Sequence, residues 1–74
     1  MTDYGWAVAH DGQILLKTVS DTRRAALVNW IYVYGRTTVL DGYSDELIEQ
    51  LWNDLRGPRN EVLEVEVTAR RTPQ

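Results

Sequence analysis

Residues 19–35 of the chain, VSDTRRAALVNWIYVYG, begin like a helix and end like a buried strand. Ser20 is a good N-cap residue and Asp21 places negative charge in the first turn, and both features stabilise a helix N-terminus. Gly35 is suited to the left-handed conformation that often ends a helix. Although WIYVY alone has strand propensity, the whole stretch predicts a helix over residues 22–34.

This predicted helix has apolar residues on two flanks. One stripe follows the i, i+3, i+4, i+7 spacing of a buried helix face: Leu27, Trp30, Ile31 and Tyr34. A second apolar flank lies beside it: Ala25, Val28 and Tyr32. A helix with two such flanks needs two surfaces to pack against. The first flank is therefore expected to face the core, and the second is a candidate interface.

A β-hairpin is predicted before the helix. The runs YGWAVA (residues 4–9) and QILLKTV (residues 13–19) are separated by HDG. Asp-Gly between two such runs is a strong hairpin signal. The length of the loop then decides which side chains share a face of the sheet.

Two loop lengths are compatible with this hairpin. A two-residue loop of Asp11 and Gly12 would place Ile14 and Leu16 on the side of the small residues of the first strand. A three-residue loop that also includes His10, with Gly12 left-handed, would place them on the apolar side with Tyr4, Trp6 and Val8. We prefer the three-residue loop, because it leaves the small and polar residues together outside: Gly5, Ala7, Ala9, Gln13 and Lys17.

A second helix and a third strand follow. Ser44 is predicted to be the N-cap residue of a helix that runs to about Arg56 and ends at Gly57 and Pro58. Its apolar residues form one tight stripe: Leu47, Ile48, Leu51, Trp52 and Leu55. The segment EVLEVEVTAR, residues 61–70, then alternates with period two and predicts a half-exposed strand with one apolar face: Leu63, Val65, Val67 and Ala69.

The predicted order of elements is therefore ββααβ. We expect a two-layer α+β sandwich, in which a three-stranded, mostly antiparallel sheet carries two helices on one face. The chain is expected to form a single domain, residues 1–74, with a frayed tail at residues 71–74. The first strand carries little charge, which favours a central position. The three tryptophans are expected to form the centre of the core: Trp6, Trp30 and Trp52.

The composition is that of an ordinary globular domain. Of the 74 residues, 43% are hydrophobic and 26% are charged, and there is no cysteine. The lack of cysteine excludes a disulfide framework and suits a reducing compartment. The N-terminus does not resemble a secretion signal, and no run approaches the length of about 20 apolar residues that spans a bilayer. We expect a cytoplasmic protein without a membrane partner.

No group of residues predicts catalysis. His10 is the only histidine, and no second histidine or cysteine completes a metal-ligand set. Ser20 is explained better by helix capping than by nucleophilic chemistry. We therefore expect a non-enzymatic protein with no cofactor and no metal.

The candidate binding residues are basic, aromatic or acidic. Arg23 and Arg24 are the best candidates for basic contacts. The tyrosines at the helix flank and before the second helix are typical of binding surfaces: Tyr32, Tyr34 and Tyr43. Residues 37–66 contain eight acidic and two basic residues. The acidic residues of this segment would form an acidic surface, which would include Glu46 and Glu49.

Two phrases in the first half of the chain resemble a known group of proteins. GWAVAHDG and TVSDTRRAALVNW are similar to stretches in small uncharacterised accessory proteins encoded by phages and prophages. The resemblance implies an accessory role in the cytoplasm of a host cell. It implies no catalytic residues.

Three functions are compatible with these observations, and we rank them in the following order. The first is a small protein-interaction module that uses Val28, Tyr32, Tyr34 and Tyr43, with another protein or a second copy of itself as partner. The second is an acidic inhibitor that mimics nucleic acid toward a host nucleic-acid-binding protein. The third is direct nucleic-acid binding through arginines, and the sequence pI of about 4.9 argues against it.

Overall fold

A computed structural model describes residues 2–36 and 42–68. The elements follow the predicted order ββααβ: β1 (Thr2–His10), β2 (Gln13–Ile14), α1 (Arg23–Val33), α2 (Asp45–Leu55) and β3 (Asn60–Thr68). A short 3-10 helix, Leu16–Thr18, lies between β2 and α1. Most of the predicted loop between the helices and the predicted frayed tail lie outside the described residues.

The predicted fold class is confirmed. One antiparallel three-stranded sheet has the order β2-β1-β3, so β1 is central, as its low charge indicated. Both helices contribute to one core together with Val8 of β1 and Val62 of β3. Val8 and Val62 are paired in the sheet, and paired residues of antiparallel strands project to the same face. The helices therefore cover one face of the sheet.

The preferred three-residue loop of the hairpin is wrong. His10 pairs with Gln13 and Ala9 pairs with Ile14, which leaves Asp11 and Gly12 as a two-residue loop. Both loop residues have positive φ, 50° at Asp11 and 82° at Gly12. This is the backbone of a type I′ turn, whose twist matches that of the strands, and aspartate tolerates its first position.

The predicted second strand is also shorter than expected. After Ile14 the chain leaves the ladder, forms the 3-10 helix and returns at Ser20, which exchanges two backbone hydrogen bonds of 2.8 Å with Trp6. Between these points the buried hydroxyl of Thr18 accepts a hydrogen bond of 2.8 Å from the backbone N–H of Val8. A side chain thus replaces a strand partner, because the buried N–H of Val8 needs an acceptor.

Tyr4, Trp6 and Val8 share the helix-covered face of β1 as predicted, but the exposure of several side chains differs from the prediction. Tyr4 and Leu16 were expected on the buried face but are 70% and 82% exposed, whereas Ala7 and Ala9 were expected outside and are at most 1% exposed. Small side chains in a central strand are shielded by larger neighbours: Leu63 of β3 pairs with Ala7, and Ile14 of β2 pairs with Ala9. Ile14 lies beside Ala9, on the face opposite the helices.

The helix ends follow the predictions in part. Ser44 caps α2 by accepting the N–H of Leu47, as predicted. The N-cap of α1 is Thr22, not Ser20, and its hydroxyl accepts the N–H of Ala25 at 3.1 Å. Ser20 is unable to cap the helix because its backbone is paired with β1.

Gly35 also differs from its predicted role. The left-handed residue after α1 is Arg36, with φ of 54°. Gly35 is required for a different reason: a Cβ atom there would lie 2.8 Å from the carbonyl oxygen of Ile31 and 3.2 Å from a methyl group of Leu55. The end of α1 therefore approaches the end of α2 closely, and a side chain at this position would separate them.

The core contains two of the three tryptophans. Trp30 and Trp52 meet edge to face, with ring centroids 4.9 Å apart, and are 4% and 1% exposed. Trp6 is only half-buried, with the guanidinium carbon of Arg23 5.9 Å from its ring centroid. The prediction of three tryptophans in the core is therefore wrong for Trp6, which lies on the helix-covered face at the N-terminal end of α1.

Candidate functional site

The two predicted basic contact residues are engaged within the chain. Arg23 donates two hydrogen bonds to the carboxylate of Glu49, of 2.7 and 3.0 Å. Arg24 donates to Asp45 at 2.7 Å and to the carbonyl oxygen of Tyr43 at 2.8 Å. These contacts join the N-terminal halves of α1 and α2. They also compensate the unfavourable position of two cations at a helix N-terminus.

The Arg23–Glu49 pair changes the proton affinity of both groups. The hydrogen bonds from Arg23 lower the pKa of Glu49 below its ordinary value, against the opposing effect of burial. The same hydrogen bonds raise the pKa of Arg23. Glu49 is therefore ionised at neutral pH, and its carboxylate is engaged by Arg23 of its own chain.

The opposite end of the helix layer contains an open cleft of about 480 Å³. It lies where the C-terminal ends of both helices approach the turn end of the sheet. Its lining comes from every part of the fold: His10, Leu15, Trp30, Tyr34, Gly35, Leu55 and Asn60. Tyr34 and Leu55 are 45% and 41% exposed, whereas Trp30 is 4% exposed. The cleft therefore has a buried aromatic base and accessible walls.

Two polar side chains at this cleft orient one another. Nδ1 of His10 lies 2.9 Å from the side-chain oxygen of Asn60, while the side-chain nitrogen of Asn60 donates to the carbonyl oxygen of Arg56 at 2.5 Å. Because the Asn60 nitrogen is used by Arg56, its oxygen faces His10 and accepts from Nδ1–H. The other ring nitrogen of His10, Nε2, lies 3.6 Å from a carboxylate oxygen of Asp11.

The three predicted tyrosines have different surroundings. Tyr34 lines the cleft and stacks on Trp30 with a centroid distance of 6.5 Å and an interplanar angle of 26°. Tyr32 is 66% exposed on α1, away from the cleft lining. Tyr43 is half-buried and packs against the core, as Val28 does. The residues predicted as one apolar interface are thus distributed between the core, the cleft and the open helix surface.

The two predicted acidic contact residues also have different surroundings. Glu46 is exposed on the first turn of α2, and its carboxylate makes no ion pair within residues 2–36 and 42–68. Glu49 is paired with Arg23. The acidic surface on α2 is therefore smaller than the sequence indicates, since the Asp45 carboxylate is also paired, with Arg24.

Sequence reasoning did not identify the cleft. Leu55 was assigned to an apolar stripe, Leu15 was assigned to no face of the sheet, and His10 and Asn60 were not considered together. The available signal was the end of three apolar patterns near Gly12, Gly35 and Gly57, which marks three element ends but does not place them at one end of the fold. It does not indicate the distance between them.

Two further properties bear on function. Among the described residues, no three His, Asp or Glu side chains are grouped so that they could hold a metal ion. Neither of the two described α-helices has the length and apolar character needed to cross a membrane.

Comparisons with known proteins identify no relative. No family model, no curated protein and no solved structure matches the chain.

Proposed function

We propose that this protein is a small, non-enzymatic interaction module that binds another polypeptide, and that its cleft between the helix ends holds an apolar side chain of that partner. The observation that carries the proposal is the stacked pair of Trp30 and Tyr34 beside the exposed Leu55. Aromatic anchors around a desolvated pocket supply most of the energy in protein interfaces.

The composition of the cleft supports this function. Its volume of about 480 Å³ falls within the range of about 300–1,000 Å³ that is typical of ligand sites. The mainly apolar lining favours burial of a large apolar group, and His10 and Asn60 provide polar atoms beside it. Such a site favours an amphipathic side chain such as tyrosine or tryptophan, whose polar tip can reach them.

A different protein is a better candidate partner than a second copy of the chain. The apolar flank that could have paired two copies is reduced, because Val28 packs against the core of its own chain. Ala25 is half-buried too, so Tyr32 is the only strongly exposed member of that flank. If the chain is an accessory protein of phage origin, as its resemblance implies, the partner would be a protein of the host cytoplasm.

The two other functions have less support. Nucleic-acid mimicry needs a continuous surface of free carboxylates, and pairing of Asp45 and Glu49 with arginines reduces the acidic surface on α2. Direct nucleic-acid binding needs free cations, but Arg23 and Arg24 are engaged by those same carboxylates. The net charge of −3 also opposes approach to phosphates.

The experiment is a selection from a random peptide-display library on the immobilised protein. The enriched peptides are synthesised, and their affinities for three proteins are measured by calorimetry: wild type, Tyr34→Ala and Tyr32→Ala. Both tyrosines are exposed on the same helix, but only Tyr34 lines the cleft. Circular dichroism establishes that the variants are folded.

The proposal predicts peptides that share a large apolar residue. Tyr34→Ala should weaken their binding by about tenfold or more, and Tyr32→Ala should have little effect. Leu55→Ser provides a second variant in the wall of the cleft. Equal binding to all of these proteins, or failure of the selection to enrich any shared motif, would contradict the proposal.

A further inference from the structure

The outer edge of β3 is the longest open strand edge in the described part of the chain. β3 is a nine-residue strand at one side of the sheet, and its pairing partner is β1. The opposite edge differs, because β2 has two residues and the chain then returns through Thr18 and Ser20. An open edge presents a row of unpaired N–H and C=O groups, to which another extended chain can add.

The register shows which backbone groups of β3 point outward. The N–H of Asp11 donates to the carbonyl oxygen of Arg59 at 3.0 Å, which continues the β1–β3 ladder. Hydrogen-bonded pairs alternate along antiparallel strands, so Leu63 and Val65 direct their backbone groups toward β1. The even-numbered residues direct theirs toward the open edge. The same alternation is visible in β1, where Trp6 and Val8 bond on the β2 side.

The side chains of the outward-pointing residues carry negative charge. Glu64 and Glu66 are exposed and lie on the helix-covered face, opposite Trp6 and Tyr4 in the ladder. Within the described residues neither carboxylate makes an ion pair. The other face of β3 is apolar: Leu63, Val65 and Val67, with Val67 38% exposed.

We infer that the β3 edge binds an extended segment of a partner protein in which basic and apolar residues alternate. The segment adds to the sheet as a fourth strand, antiparallel to β3. Its basic side chains lie opposite Glu64 and Glu66, and its apolar side chains extend the face formed by Leu63 and Val65. In this geometry the basic residues are also the ones whose backbone groups bond to β3, since directly opposed residues share a face.

The same charges argue against a second copy as the occupant. Antiparallel pairing of two β3 strands with the helices on the same side places Glu64 opposite Glu64 or opposite Glu66 in the central registers. Opposed like charges destabilise strand pairing, and proteins use them to prevent edges from joining. The edge therefore selects for a strand of opposite charge.

The probe is a capped peptide in which lysine alternates with valine, compared with a peptide in which glutamate replaces lysine. Binding to the full chain is measured by calorimetry at low and high salt, and the contact is located by amide hydrogen exchange. We expect the lysine peptide to bind at least about tenfold more tightly than the glutamate peptide. We also expect binding to protect the amides of Glu64 and Glu66 from exchange.

Two controls separate strand addition from simple charge attraction. Methylation of the lysine backbone nitrogens should abolish binding, whereas methylation of the valine nitrogens, which point away from β3, should not. The double substitution Glu64→Lys with Glu66→Lys should reverse the preference and favour the glutamate peptide. A gain of binding by the glutamate peptide cannot result from loss of the fold, and circular dichroism establishes that the variant is folded, so that a lack of reversal can also be interpreted.

Three results would overturn the inference: equal binding of both peptides, no reversal in the double variant, or retained binding after methylation of the lysine nitrogens. The cleft provides an independent control. Tyr34→Ala should leave binding of the lysine peptide unchanged, so failure of the cleft proposal and failure of the edge inference can be distinguished.

Discussion

At the scale of single residues, Thr18 connects the 3-10 helix to the central strand. Its hydroxyl accepts from the N–H of Val8 at 2.8 Å and donates to the carbonyl oxygen of Leu15 at 2.6 Å, and the side chain is fully buried. Thr18→Val keeps the shape but leaves this buried N–H without an acceptor. We expect a loss of about 1–3 kcal/mol in the free energy of unfolding, measured by urea denaturation. Thr18→Ser retains the hydroxyl and should lose less; the opposite order of the two variants would contradict this role.

The contribution of Glu49 to the free energy of unfolding should depend on pH. Because Arg23 lowers the pKa of Glu49 in the folded state, the carboxylate stabilises the protein above its unfolded pKa. This stabilisation is lost as the pH falls through the lower folded pKa. Both side chains are about two-fifths exposed, so solvent screens the pair, and Glu49→Gln should cost only about 0.5–1 kcal/mol at neutral pH.

Urea denaturation at neutral and strongly acidic pH measures this difference. The cost of Glu49→Gln should disappear at the acidic pH, where both forms are uncharged. Glu46→Gln is the matched control, since Glu46 lies one turn away on the same helix without an ion pair among the described residues. A cost for Glu49→Gln that is the same at both values of pH would refute the ion-pair explanation.

At the scale of the elements, the register of β3 can be tested by hydrogen exchange in the free protein. The amides of Leu63 and Val65 point toward β1 and should exchange slowly, whereas those of Glu64 and Glu66 point toward solvent and should exchange quickly. The measurement is two-dimensional NMR after transfer to deuterated water. Slow exchange of the glutamate amides in the free chain would show that the edge is already covered or that the register is shifted.

The sequence predicts the helices and strands better than it predicts the strand register and the face of β3 that packs against the helices. The helix α2 is specified by a tight apolar stripe and by Ser44, so its position follows directly from the pattern. The hairpin register depends on whether Asp11 adopts positive φ, and the residue type permits either loop. The alternation of β3 predicts an apolar face that contains Leu63 and a second face that contains Val62. In the structure the helices pack on the face of Val62, because the register with β1 decides which face of β3 meets them.

The candidate cleft could not be predicted from sequence patterns. His10, Leu15, Trp30 and Leu55 come from four separate segments, and only the packing of the helix ends on the sheet brings them together. Arg23 and Arg24 illustrate the reverse case. Their types suggested an external partner, but the nearest opposite charges are in α2 of the same chain.

At the scale of the whole molecule, we expect a monomer. Val28 packs inside its own chain, and Glu64 and Glu66 oppose pairing of two β3 edges. Light scattering across a dilution series should therefore give a mass near 8.5 kDa throughout. A dimer that persists at low micromolar concentration would mean that two copies cover one of the surfaces assigned here to other proteins.

The central claim is that the aromatic cleft is the binding site. The indole N–H signals of the three tryptophans report on three places in the fold: Trp30 at the cleft, Trp52 behind it, and Trp6 near Arg23. The most direct measurement is an NMR titration of these signals with a peptide selected on the protein. We expect a large, saturable shift for Trp30 and none for Trp6; a shift confined to Trp6, or no shift at Trp30 while the peptide binds, would contradict binding at the cleft.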